Sequence, residues 1–187
     1  KGLRFRMTSW HLNHSEYGSE PWAVQSEALQ RASDKLGYGY WLEQGLGKTP
    51  LALNEFYDKW LRGLVDACII ICPNSLKKDW ADAVAEWGIP SGHLVGRYWP
   101  NIEMPDRLEN VVLACNYEAV ARPGKVRDYL IWLMEQSRIF LVIDETSAVG
   151  NPTSQTTKAI IEFAKRAEYR RGLNGTPLTR TVMDYWG

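Results

Sequence analysis

The chain has 187 residues, 45% hydrophobic and 24% charged, and its 22 Lys and Arg are balanced by 22 Asp and Glu, leaving a formal net charge of zero. This length and balance suit one globular domain with a substantial core and exclude a disordered or fibrous chain. No apolar run reaches the roughly 20 residues of a membrane span, and any basic surface for nucleic acid must be local.

The opening KGLRFRMTSW does not begin with methionine and lacks the apolar stretch and small-residue cleavage site of a secretory signal. The expectation is a piece of something longer and intracellular, cytoplasmic in a bacterium or phage and nuclear in a eukaryote, with residues 1–20 an extension and 21–187 the domain. Residues 21–36 (PWAVQSEALQRASDKL) place apolar side chains at helical intervals after a first-turn proline. Residues 37–43 (GYGYWLE) suit a short strand entering a glycine-rich turn, and 49–61 (TPLALNEFYDKWL) return to helical spacing. The run 66–72 (DACIIIC) is a strand buried on both faces, stopped by Pro73, and 76–87 is an amphipathic helix. Residues 110–115 and 138–143 repeat the buried-strand pattern around a helical stretch at 126–135, while 89–107, rich in Pro and Gly, is the most irregular part. Alternating strands and helices imply a three-layer α/β domain, a largely parallel sheet with helices on both faces and ligands beyond the carboxyl ends of the strands.

Cys68, Cys72 and Cys115 lie in apolar runs without paired zinc-site spacing and read as buried small hydrophobes in a reducing compartment. The nine tryptophans have no fixed period and argue for packing. His11, His14 and His93 read as surface or loop residues.

Gly45, Leu46, Gly47, Lys48 and Thr49 follow the first strand and lead into a helix. Glycines let successive backbone N–H groups converge on phosphate oxygens, and the helix N-terminus adds a favourable field. Lys48, expected to face solvent without nucleotide, would reach the outer phosphates, and the Thr49 hydroxyl would bind Mg2+. Leu42 stands at the first glycine position of the full phosphate-loop pattern. The strand 138–143 ends in Asp144 and Glu145, where one carboxylate can hold the metal and its neighbour orient the attacking water. Alone, such a pair is equally an ordinary acidic strand-to-loop junction.

Six segments in order carry a resemblance: PWAVQSEAL, LEQGLGKT, ACIIICPNSLKKDWADAVAEW, VLACNYEAV, VIDETSAVGNPTSQTTKAI and GLNGTPLTRTVMDYW. Together they resemble the amino-terminal RecA-like lobe of superfamily-two helicase-like ATPases of the Swi/Snf type. The Asp-Glu-x-Ser form with a bare E-x-G-L-G-K-T loop is similar to phage and prophage members. The resemblance implies a RecA-like P-loop fold, ATP and Mg2+ as cofactors, and catalytic Lys48, Asp144 and Glu145. Gln25 becomes the adenine-reading residue, and Thr49 and Asp144 the metal-facing ones. Pro73, Asn74, Ser75, Lys77, Asn116, Tyr117, Ser147, Asn174 and Thr176 fall on nucleic-acid and coupling positions, although without the resemblance the first six of these read as strand-to-helix turns with N-caps. Ser147 and Asn174 depart from the commonest family residues. The implied partners are DNA, with RNA open, and a second RecA-like lobe bringing an arginine finger. A nucleotide-dependent binding module without translocation is the alternative; a small-molecule kinase would leave the NGTP and Gln25 segments unexplained.

Overall fold

The computed structural model describes residues 9–87, 89, 95–99, 111–149 and 151–175. Six helices, α1 (Ala23–Ala32), α2 (Lys48–Leu61), α3 (Lys77–Glu86), α4 (Tyr117–Ala121), α5 (Lys125–Gln136) and α6 (Gln155–Arg166), cover a sheet of six strands. The strands are β1 (Gly37–Trp41), β2 (Ala67–Cys72), β3 (Val95–Tyr98), β4 (Val111–Asn116), β5 (Ile139–Asp144) and β6 (Tyr169–Asn174). Their order is β1-β6-β5-β2-β4-β3 and every pairing is parallel. This is the expected three-layer α/β architecture.

Alternation along each strand builds two cores. In β2, buried at all six positions, Cys68, Ile70 and Cys72 join the layer of α1, α2 and α3, while Ala67, Ile69 and Ile71 join that of α4, α5 and α6. All three cysteines are buried thiols, and burial pushes Cys72 up to about 12, so they act as small hydrophobes. Helix α2 is buried continuously from Pro50 to Lys59, since the segment before α1 covers its outer side. There the Asn54 amide accepts from His11 N at 2.7 Å and donates to the Ser9 carbonyl at 2.9 Å, and Leu12 is 1% exposed.

The sheet differs from expectation at two strands, and one turn differs as well. Strand β3 lies in the stretch read as irregular, a short edge strand in which Gly96 lets the backbone approach α3: a Cβ there would stand 1.9 Å from the Ala81 carbonyl oxygen. Strand β6 (YRRGLN) was not expected from its charge-rich pattern. The Asn116–Tyr117 turn continues into the short helix α4, with Asn116 at its N-cap. His14 is also corrected from surface to interior: it is 7% exposed, its ring packs on Tyr17 and Trp87, and its Nδ1 accepts from the Glu16 and Tyr17 N–H groups. His11 is partly covered, with Nε2 2.9 Å from Asp58 Oδ1, and His93 lies outside the described residues.

Candidate active site

The loop between β1 and α2 takes its shape from glycine. Gly47 is the N-cap of α2 at φ 69°, and Gly45 has φ 82°. Position 47 favours glycine for its left-handed conformation, and a Cβ there would meet Gln25 Nε2 at 2.3 Å and so displace that side chain. Gln25, 4% exposed, holds this loop from below. Its Oε1 accepts from Trp22 N at 2.9 Å, and its Nε2 donates to the Leu46 and Gly47 carbonyls at 3.3 and 3.4 Å.

Lys48 is half-buried rather than facing open solvent. Its ammonium donates to the carbonyls of Leu42 and Glu43 at 2.9 and 3.0 Å. The physical reason is that an ammonium drawn half out of water takes the loop carbonyls beside it as acceptors. The end of β6 completes the floor, because a Cβ on Gly175 would lie 3.6 Å from Lys48 Nζ. Gly175 of the GLNGTP segment is therefore packed on the glycine loop.

Asp144 ends β5 at 8% exposure. Its Oδ2 accepts from the Trp80 indole N–H at 2.9 Å and its Oδ1 from Glu145 N at 2.9 Å. Burial raises its pKa above the usual carboxylate value and the Glu145 charge adds to this, while the Trp80 and Glu145 N–H groups and Lys48 oppose it. Glu145 is the one non-glycine described residue with positive φ, at 55°. Strain of that kind collects at functional positions and persists only where the surroundings over-determine it.

Gln25, Gly45, Gly47, Lys48, Thr49 and Asp144 line one cleft of about 470 Å³ at the carboxyl edge of the sheet, within the range of ligand sites. Leu46 and Glu145 adjoin it without lining it. The sequence did not reveal its aromatic wall. Trp80, Ala83 and Trp87 of α3 and its C-cap face the cleft, together with Tyr17 and Trp22. Their spacing of three and four residues was the available signal.

The nucleic-acid positions divide by exposure. Asn74, Ser75 and Ser147 are exposed, while Pro73, Lys77 and Asn116 are half-buried. Lys77 Nζ donates to the Trp99 carbonyl at 2.8 Å, and Asn116 Nδ2 to Glu118 Oε2 at 2.6 Å. Tyr117 is 7% exposed, and its hydroxyl donates to the Asp144 carbonyl and, at 3.3 Å, to that of Glu145, so its side chain faces the acidic pair rather than solvent. Asn174 is 1% exposed at the end of β6, which removes it from direct contact, and Thr176 lies outside the described residues.

Residues 42–187 match the model of the SNF2-related domain. An uncharacterised ATP-dependent helicase of Mycoplasma genitalium is 25% identical over 149 residues, covering 77% of this chain and 14% of the relative. The mouse helicase-like transcription factor is 26% identical over 126 residues, 64% of this chain and 12% of the relative. Among solved structures, the Sulfolobus solfataricus SWI2/SNF2 ATPase core in complex with double-stranded DNA superposes with a TM-score of 0.72 at 21% identity, over 97% of this chain and 36% of that one. The chain thus spans a minor part of each of these proteins. With the glycine loop, the acidic strand end and the parallel sheet in place, the chain belongs to the SNF2-related domain family.

Proposed function

We propose that this chain is the ATP-binding motor lobe of a DNA-dependent ATPase that couples hydrolysis to movement along DNA. The observation that carries the reading is the convergence of the Gly45 to Thr49 loop with Asp144 in one cleft, where Lys48 already rests on carbonyl oxygens. Among the described residues no group of three or more His, Cys, Asp or Glu could hold a metal ion. Magnesium held by Thr49, Asp144, water and nucleotide phosphates needs none, so the residues present fit Mg-ATP.

Bound Mg-ATP supplies the phosphoryl group to be transferred and neutralises part of its charge. Lys48 would leave the Leu42 and Glu43 carbonyls for the outer phosphates, the loop N–H groups would bind the oxygens, and Glu145 would orient water and receive its proton. Gln25 would read adenine from the cleft wall; its 3.3 and 3.4 Å contacts to the loop are long enough to exchange. Asn74, Ser75, Asn116 and Ser147 would present short polar groups to the nucleic-acid backbone in a sequence-independent way, with Pro73 and Lys77 shaping the turn after β2 and with Asn174 and Thr176 at coupling positions. An arginine finger would come from a second RecA-like lobe.

Glu145→Gln in the full native protein tests the reading, because an amide cannot accept the proton. Nucleotide binding should persist while DNA-stimulated phosphate release falls by about 10²-fold or more. Turnover within twofold of wild type would leave Glu145 a mere loop acid.

A further inference from the structure

We infer that Trp80 and Tyr117 are positioning residues that transmit nucleic-acid contact to the acidic pair, so that DNA stimulates hydrolysis by resetting Asp144 and Glu145 directly. The inference rests on the functional reading above. Trp80 stands five residues beyond Ser75 in the first turns of α3, and its indole N–H ends on the Asp144 carboxylate at 2.9 Å. Tyr117 follows Asn116 directly, and its hydroxyl reaches the backbone carbonyls of Asp144 and Glu145. The segments after β2 and β4, which offer exposed or half-exposed polar groups, therefore each carry within one or two helical turns a buried bond to Asp144, and Tyr117 adds one to Glu145.

The side-chain chemistry favours a link over plain packing. Trp80 and Tyr117 are 3% and 7% exposed, and a phenylalanine would fill much of either place. What the aromatic residues present add is an N–H and an O–H aimed at β5 and its following turn. Glu145 is consequently held from both sides at its left-handed φ of 55°: its N–H donates to Asp144 Oδ1, and its carbonyl accepts from Tyr117. Hydrogen bonds weaken steeply with angle and distance, and a helix shifts as a body. A small displacement of α3 or α4 on DNA must then change the setting of the pair.

The test uses the full native protein, comparing wild type, Tyr117→Phe and Trp80→Phe, with folding checked by thermal denaturation. The readout is the stimulation factor, phosphate release at saturating duplex DNA divided by release without it. It should fall about fivefold or more in Tyr117→Phe and about tenfold in Trp80→Phe. A second readout needs neither nucleotide nor magnesium: with 5-fluorotryptophan labelling, the Trp80 resonance, assigned by its loss in Trp80→Phe, should shift when duplex DNA alone is added. That shift should shrink in Tyr117→Phe. An unchanged factor in Tyr117→Phe, with a Trp80 resonance indifferent to DNA, overturns the link and leaves the functional reading standing. Wild type without any DNA stimulation overturns both.

Discussion

Glu55 on α2 sits with Lys59 and Arg171 in the interior, one anion against two cations, all at 0% exposure. Arg171 Nε donates to Glu55 Oε2 at 2.6 Å and Nη2 to Oε1, Tyr40 donates to Oε2 at 2.6 Å, and Lys59 Nζ lies 3.4 Å from Oε1. Glu55→Gln keeps the shape and removes the only negative charge of the cluster, stranding two cations. Breaking a buried pair in this way costs about 3–5 kcal/mol. A domain of this size is stable by about 5–15 kcal/mol and loses about 2–4 °C of Tm per kcal/mol, so the melting temperature should drop by roughly 6–20 °C. Lys59→Met should cost less than about 1.5 kcal/mol, because it leaves Arg171 and Glu55 paired one to one and because burial already lowers the Lys59 pKa. In the double variant the lost lysine should recover part of the Glu55→Gln deficit, a coupling of about 0.5–3 kcal/mol. Urea denaturation of the four proteins measures all three quantities. A Lys59→Met deficit as large as that of Glu55→Gln, with strict additivity, would refute the charge argument.

Gly47→Ala should weaken nucleotide binding at least tenfold by calorimetry, since the left-handed φ costs about 1–2 kcal/mol and the new Cβ displaces Gln25; normal affinity would show that the loop tolerates a side chain. Asp66 accepts from the Arg138 side chain and backbone, and these bonds hold its carboxyl below the ordinary 3.8. A lowered folded value contributes stability above pH 3.8 that is lost as pH falls through the folded pKa. The gap in stability between wild type and Asp66→Asn should therefore be largest near neutrality and close in acid; a gap constant with pH would remove the ion pair as its source.

The central strands and α2 are legible in the sequence because a continuous apolar run has few alternatives to burial on both faces. The glycine loop and Asp144 are legible because their chemistry is local. What escapes is whatever depends on distant partners. The two arginines of β6 give no local signal of a strand, yet Arg171 is interior because Glu55, 116 positions away in the chain, neutralises it. The segment 9–20 reads as an extension, and only the fold shows Leu12 seated on the core. Trp80 reads as helix packing, and its bond to Asp144 appears only once α3, packed on β3 and β4, brings the indole to the end of β5. Tyr117 carries a hydroxyl whose direction no spacing rule gives.

The most direct measurement is steady-state phosphate release by the full native protein, with and without saturating duplex DNA, in wild type and in Lys48→Ala. DNA should stimulate release strongly in wild type. Lys48→Ala should lose about 10- to 150-fold in ATP affinity, with turnover lost at ordinary ATP concentrations, because it removes a charged donor to the phosphates. Release that is indifferent to DNA, or a folded Lys48→Ala protein that hydrolyses ATP as wild type does, would contradict the proposed function.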